Sequence, residues 1–198
     1  MKSVILAATA LLAAAAPAAA QGVPGAEVYG GLSAGYHGVG DLDLTAFGAS
    51  DVTDIDGAIY GAFVGARTDV GNGLQLGAEG NFHFGSGSID NEYGIAATVG
   101  TSLGNGSSVF LRGGYQWVDL DIDEVAEDLA DDLNLSGADA NDLRDALVAG
   151  IGDDDTVDGW LVGVGTDVAV GQNSMLRLAA DTIEFDTVRL TAGFGFKF

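Results

Sequence analysis

The chain has 198 residues, a net charge of −22, no cysteine, 32 glycines and only 2 prolines, with 47% of its residues hydrophobic. The lack of cysteine excludes a disulfide scaffold, the negative charge excludes a nucleic-acid surface and a grip on anionic headgroups, and the apolar content excludes a disordered chain. Glycine at this abundance weakens an ordinary soluble sheet but suits a narrow, curved barrel whose interior must hold large side chains.

At the start, Met1-Lys2 supplies a positive region, Val4 to Ala16 an apolar run, and Ala18-Ala19-Ala20 a small-residue cleavage pattern before Gln21. Residues 1–20 therefore read as a signal peptide and 21–198 as one barrel domain. The run is too short and too alanine-rich for a spanning helix, and it has no basic stop-transfer flank.

Beyond the leader the dominant period is two, which predicts strands over 26–37, 58–70, 74–85, 92–104, 108–119, 159–171, 174–183 and 187–198. In the third run Leu74, Leu76, Ala78, Gly80, Phe82 and Phe84 share one face, against Gln75, Gly77, Glu79, Asn81 and His83. The last run sets Val188, Leu190, Ala192, Phe194, Phe196 and Phe198 against Arg189, Thr191, Gly193, Gly195 and Lys197. A slip of one residue would turn every charge onto the apolar face, so the register is strongly determined.

The same phase puts Arg67, Arg112, Arg177, Arg189 and Lys197 on the polar face, together with Asp69, Glu79, Asp167 and Asp181. The opposite face carries Tyr60, Tyr93, Tyr115, Trp117, Trp160 and Phe198 near strand ends. Charges inside and aromatics outside near the ends invert a soluble barrel and match a wall in lipid with a girdle at each interface. The predicted fold is an all-β, eight-stranded antiparallel transmembrane β-barrel. Its interior is just wide enough to be filled by side chains, so the inward charges are expected to form a lumen ion-pair network. Glycines such as Gly163, Gly165 and Gly195, which add no bulk, keep an open conducting path as the rival expectation.

The strands alternate between two kinds of link. Gly71-Asn72-Gly73, Gly104-Asn105-Gly106-Ser107 and Gly171-Gln172-Asn173 read as tight turns that use positive φ, while the links at 38–57, 85–91, 120–158 and 183–187 lie at the other end. In transmembrane barrels the tight turns are periplasmic, so the long links are expected outside the cell.

The link between strands 5 and 6 is acidic and changes to a helical period. Of 29 acidic residues, 15 fall between Asp119 and Asp158, where Arg144 is the only base. Val125, Leu129 and Leu133 form one stripe, and Leu143, Ala146, Leu147 and Ile151 another, predicting a helical hairpin on or beside the outer mouth. Ser136 or Asp139 is the predicted cap of its second helix. Three readings of the acidity stand side by side: a solvated, self-repelling surface loop, a negative vestibule for an external partner or cation, and divalent-cation binding. The candidate oxygen ligands are Asp119, Asp121 and Asp123, or Asp153, Asp154 and Asp155. The first set has the spacing that opens an EF-hand loop, yet Glu124 stands where that loop needs glycine and no Glu follows at its twelfth position.

The end of the chain carries a resemblance. Thr191-Ala192-Gly193-Phe194-Gly195-Phe196-Lys197-Phe198 is similar to the C-terminal signal, polar-x-Gly-x-x-aromatic-x-aromatic, of the small outer-membrane β-barrel superfamily. That superfamily comprises the opacity, OmpA-type and OmpW-type proteins, often filed as porin-family proteins of the Gram-negative envelope. The resemblance implies outer-membrane localisation, Thr191, Gly193, Phe196 and Phe198 as assembly determinants, and as partners the barrel-assembly machinery, outer-membrane lipid and lipopolysaccharide, with divalent cations at the acidic loops.

Some barrels of this architecture are lipid A deacylases or palmitoyltransferases that use His with Ser and an acid. Here Ser33 lies two pleats from His37 and Glu79 two from His83, with no nucleophile motif around either histidine. No cofactor motif is present. The expected function is a non-enzymatic barrel contributing to envelope structure or surface interaction, with a small passive pore for cationic or neutral solutes as the alternative.

Overall fold

The computed structural model describes residues 25–41, 54–133, 135–151 and 156–198. The proposed leader and Asp153, Asp154 and Asp155 lie outside them. Eight strands close into an antiparallel barrel in chain order: β1 Ala26–Asp41, β2 Asp54–Gly71, β3 Leu74–Phe84, β4 Ile89–Gly104, β5 Ser107–Leu120, β6 Thr156–Ala169, β7 Ser174–Ile183 and β8 Val188–Lys197. β8 returns to β1 over Tyr29 opposite Lys197 through Gly38 opposite Val188, so no sheet edge is left open.

Period two is obeyed along the middle of every strand. In β7, Met175, Arg177, Ala179, Asp181 and Ile183 are buried in the lumen while Leu176 and Leu178 are exposed on the outer face. The outward Tyr and Trp rings are gathered at one end only. Tyr93 stacks on Trp117 at 5.5 Å, Tyr115 meets Trp160 edge-on at 5.3 Å, and Tyr60 packs on Phe84 at 5.9 Å. The opposite rim carries Phe194, Phe196 and Phe198, which have no polar handle. A Tyr/Trp girdle therefore forms at the end of the long links and not at both ends. Tyr36 and Tyr115 donate their hydroxyl protons to Asp56 and Asp158 there, as rings at a water boundary do.

Beyond that girdle the two faces exchange character. Inward positions become Ile59, Ile89, Val118 and Leu120, all buried, and outward ones become Asp90, Asp119 and Asp158. The wall has left lipid for water, so the apolar side must now face in. This is why β2, β4 and β6 begin three or four residues before their predicted starts: a rule of polar inside stops holding where the surrounding solvent changes.

Between β5 and β6 lie two helices, α1 Ile122–Asp132 and α2 Ala138–Ile151. Asp121 caps α1 by accepting the Glu124 N–H at 3.3 Å. α1 buries Val125, Ala126, Leu129 and Ala130; Leu133, predicted on this stripe, is exposed at the helix end. Val125 drops onto Ile59, Ile89, Val118 and Leu120 and completes an apolar stopper in the mouth. Leu143 of α2 packs on Ala126 and Leu129, while Ala146 faces solvent; the side chains of Leu147 and Ile151 lie outside the described residues. Neither predicted cap starts α2. Gly137, at φ 65, accepts the Asn141 N–H instead, and Asp139 sits inside the first turn.

Two of the tight turns use left-handed Asn72 and Asn105 flanked by glycines, as read from sequence. The third differs: no residue of 171–173 has positive φ, and the Val170 N–H closes it on the Ser174 carbonyl at 3.0 Å. The short link after β7 takes positive φ at Glu184 and Phe185, an uncommon conformation for such residues. Glu184 is held there by a carboxylate that accepts the Trp160 N–H at 2.8 Å.

Candidate functional site

The chemistry of this molecule is concentrated in its lumen. Inward charges from all eight strands form one alternating chain across the barrel axis. At the tight-turn rim Lys197 lies 3.5 Å from Glu27, and Arg67 bridges Glu27 at 2.6 Å and Asp167 at 2.7 Å. Arg177 then takes Asp167 at 2.7 Å and Glu79. Glu79 also accepts from Arg112 at 2.9 Å, and Arg112 forks onto Asp181. Arg189 closes the series, 3.1 Å from Asp181 and 2.7 Å from Glu92. Five cations and five carboxylates alternate without a break, so nearly every buried charge has an opposite charge on each side.

Aromatic faces complete the middle of the chain. The Arg177 guanidinium lies 4.4 Å from the Phe63 centroid, 4.9 Å from Tyr29 and 4.9 Å from Phe110. A cation caged by three rings in a dry interior gains from their quadrupoles as well as from its carboxylates. The Tyr29 hydroxyl donates to Glu79 at 3.0 Å. Three lumen glycines lie directly against neighbouring side chains. A Cβ on Gly163 would collide with the Asp181 carboxylate, one on Gly165 with the Phe110 ring, and one on Gly195 would press on Met175 and Phe63. The volume they release is occupied by neighbouring side chains.

Of the residues placed on the polar face from sequence, Arg67, Glu79, Arg112, Asp167, Arg177, Asp181 and Arg189 are buried in this chain. Lys197 sits at its rim and also donates to the Gly106 carbonyl at 2.8 Å. Asp69 does not join it. The strand pairing is irregular between Asp69 and Gly71, and the exposed carboxylate accepts the Gly71 N–H at 2.8 Å as a turn fixture. Glu27, Glu92 and His37 are lumen members that the sequence reading did not place on the polar face, and His83, which it did place there, was not joined to the network. Strict alternation from the outward Tyr93 would have located Glu92.

The two histidines meet at Glu92. His37 Nδ1 lies 2.6 Å from one carboxylate oxygen, and His83 Nδ1 is 3.0 Å from the other, a close approach whose angle falls short of a hydrogen bond. His37 Nε2 faces Thr187 Oγ1 at 3.4 Å, and the Ser33 hydroxyl reaches His83 Nε2 at 2.7 Å. Ser33 thus pairs with His83, not with the nearer-in-sequence His37, and Glu79 is engaged by arginines.

Ser33, His83 and Glu92 follow the connectivity of a nucleophilic triad, but the surroundings differ from one. Glu92 is shared with Arg189 and His37. Ser33 stands mid-strand opposite Gly61 and Gly193, where ladder pairing occupies the backbone N–H groups that an oxyanion hole would need.

The acidic link is arranged differently from the metal expectation. Asp119 accepts from Thr156 at 2.7 Å, Asp121 caps α1, and Asp123 accepts from Arg144 at 2.7 Å. Each of these three carboxylates is engaged by its own neighbour, and among the described residues no three His, Asp or Glu side chains converge as metal ligands. The Arg144 hydrogen bond holds the Asp123 carboxyl below the ordinary aspartate range.

In β8 the four residues of the terminal motif divide by face: Thr191 and Gly193 line the lumen, and Phe196 and Phe198 are exposed outside. The Phe198 N–H donates to the Val28 carbonyl at 2.8 Å, tying the last residue to the first strand.

Solved structures with this architecture are numerous. The N-terminal β-barrel domain of OprF from Pseudomonas aeruginosa aligns over 88% of this chain and 98% of its own at 12% identity, TM-score 0.50. Neisserial surface protein A aligns over 88% and 97% at 16% identity, TM-score 0.46. Ail, the attachment invasion locus protein of Yersinia pestis, aligns over 86% and 98% at 10% identity, TM-score 0.44. No functionally curated protein matches the sequence. The model of one domain family, outer membrane protein beta-barrel domain, matches residues 5–198, nearly the whole length, and the chain belongs to that family.

Proposed function

We propose that this chain is a non-enzymatic integral protein of the outer membrane, a plugged barrel that supports the envelope and holds the acidic α1–α2 hairpin outward. The observation that carries the reading is the unbroken alternation of ten charges across the lumen, touching every strand. Such a chain opposes a continuous water path in an eight-stranded interior, and the apolar cluster around Val125 sits in the mouth above it. Carboxylates on the exposed faces of α1 and α2 suit contact with lipopolysaccharide through bridging divalent cations. Phe196 and Phe198 suit recognition by the assembly machinery, after a leader of residues 1–20 has directed export.

The test is the conductance of the refolded chain in a planar bilayer at pH 7.5, beside a variant lacking residues 123–151. Both are expected to stay closed while circular dichroism shows a folded barrel. Discrete cation-preferring channels from the full chain would establish the pore reading instead, and channels only after the deletion would make the hairpin the gate.

A further inference from the structure

The charge chain ends asymmetrically. At the tight-turn rim it terminates in Lys197, partly exposed beside the more open Glu27; at the hairpin end it terminates in Glu92 with two imidazoles on it, and Glu92, His37 and Arg189 are wholly inaccessible. We propose that His37, His83 and Glu92 form a proton-sensitive latch, which holds α1 in the mouth while the imidazoles are neutral and releases it when they take up protons. The inference rests on the closed-lumen reading above.

Charge counting carries the first step. Among the described residues five cations and five carboxylates of this chain balance, so each proton taken up by an imidazole adds a positive charge that the chain does not match.

The groups facing the pair leave that charge little relief. From β4 comes Glu92, whose oxygens are already claimed; from β8 comes Arg189 and from the link before it Thr187; from β7 Asp181, itself held by Arg112 of β5. Among the described side chains β1 contributes the Ser33 hydroxyl, and β2 contributes Ile59 here, its Asp56 being bonded to Tyr36 at the outer face. The α1 carboxylates Asp123, Glu124 and Glu127 are exposed to solvent. Two imidazolium rings and one guanidinium would thus compete for a single carboxylate. Arg189 Nη2 already lacks a hydrogen-bond partner in the closed arrangement.

Register carries the second step. Glu92 stands directly opposite Val118, a member of the stopper that Val125 completes. Solvating the new charge requires water beside Glu92, and the shortest way in is through the apolar contact between α1 and the strand ends. Acid therefore loosens the hairpin first and leaves the Arg177 cage intact.

The experiment is hydrogen–deuterium exchange of the α1 amides in the full refolded chain in phosphatidylcholine vesicles, at pH 7.5 and 5.0, corrected for intrinsic rates. It compares the wild type with the His37→Gln/His83→Gln double variant. The wild type is expected to lose tenfold or more of its α1 protection at pH 5.0, and the double variant to keep it. Titration of the hairpin's own carboxylates affects both proteins alike and cancels in the comparison. Unchanged wild-type protection, or an equal loss in both, overturns the latch. If the double variant does not fold, the single variants are read the same way, each with a smaller loss than wild type. An α1 already unprotected at pH 7.5, or channels at that pH, would instead overturn the closed-lumen reading.

Discussion

Two arginine–aspartate pairs in this molecule have the same length and opposite significance. Arg177 Nε lies 2.7 Å from Asp167 in the lumen, with side-chain exposures of 4% and 0%; Arg144 Nε lies 2.7 Å from Asp123 on the hairpin, with exposures of 49% and 66%. Distance alone would rank them equal. In the lumen neither partner can fall back on water, so the pair must stay together and must be balanced by the next charge along. On the hairpin each can, so the contact is screened and replaceable.

The largest effect expected from breaking this contrast is at Glu79, which joins Arg112, Arg177 and Tyr29. Glu79→Ala leaves two buried guanidiniums short of a counter-charge and should cost about 3–5 kcal/mol, read as a lowered urea midpoint for the refolded barrel. Next comes Gly163→Ala, whose methyl group displaces the Asp181 carboxylate from Arg112. A loss of about 1–3 kcal/mol by the same measurement is expected. A wild-type midpoint for either variant would mean that the lumen charges are solvated after all.

Val125→Ala sits between the two regions. It thins the stopper and should weaken α1 docking by about 1–2 kcal/mol, seen as faster α1 amide exchange with the barrel midpoint unmoved. Smallest is Arg144→Gln, which should leave the midpoint unchanged while the Asp123 carboxyl, followed by carbon NMR, returns to the ordinary aspartate range. The sign follows from a carboxyl held low in the folded protein. Its small contribution is present above the unfolded-chain value and disappears as pH falls through the lowered one. Added salt should reduce this surface contribution and leave the Arg177–Asp167 pair almost untouched.

Much of the lumen was legible from period two, because a strand in lipid has one apolar face and every charge must take the other. That logic placed Arg67, Arg112, Arg177 and Arg189 with Glu79, Asp167 and Asp181 on one side of the wall. It placed Asp69 there too, opposite Gln75, but at the rim, where its exposed carboxylate accepts the Gly71 N–H and forms no ion pair among the described residues. It placed His83 there as well and had Glu92 within reach through Tyr93, but the convergence of both with His37 was not legible.

The sequence by itself determined the strand number, the strand faces and the helical link, since each follows from the local spacing of apolar residues and from turn chemistry. Tertiary structure decided who meets whom. Arg177 of β7 finds Glu79 of β3, and His83 of β3 finds Ser33 of β1, because barrel closure and strand stagger bring distant strands face to face across the lumen. It also decided where the faces exchange polarity. Ile59, Ile89, Val118 and Leu120 turn inward beyond the Tyr/Trp girdle because water, not lipid, surrounds the wall there, and α1 supplies the apolar surface that closes over them.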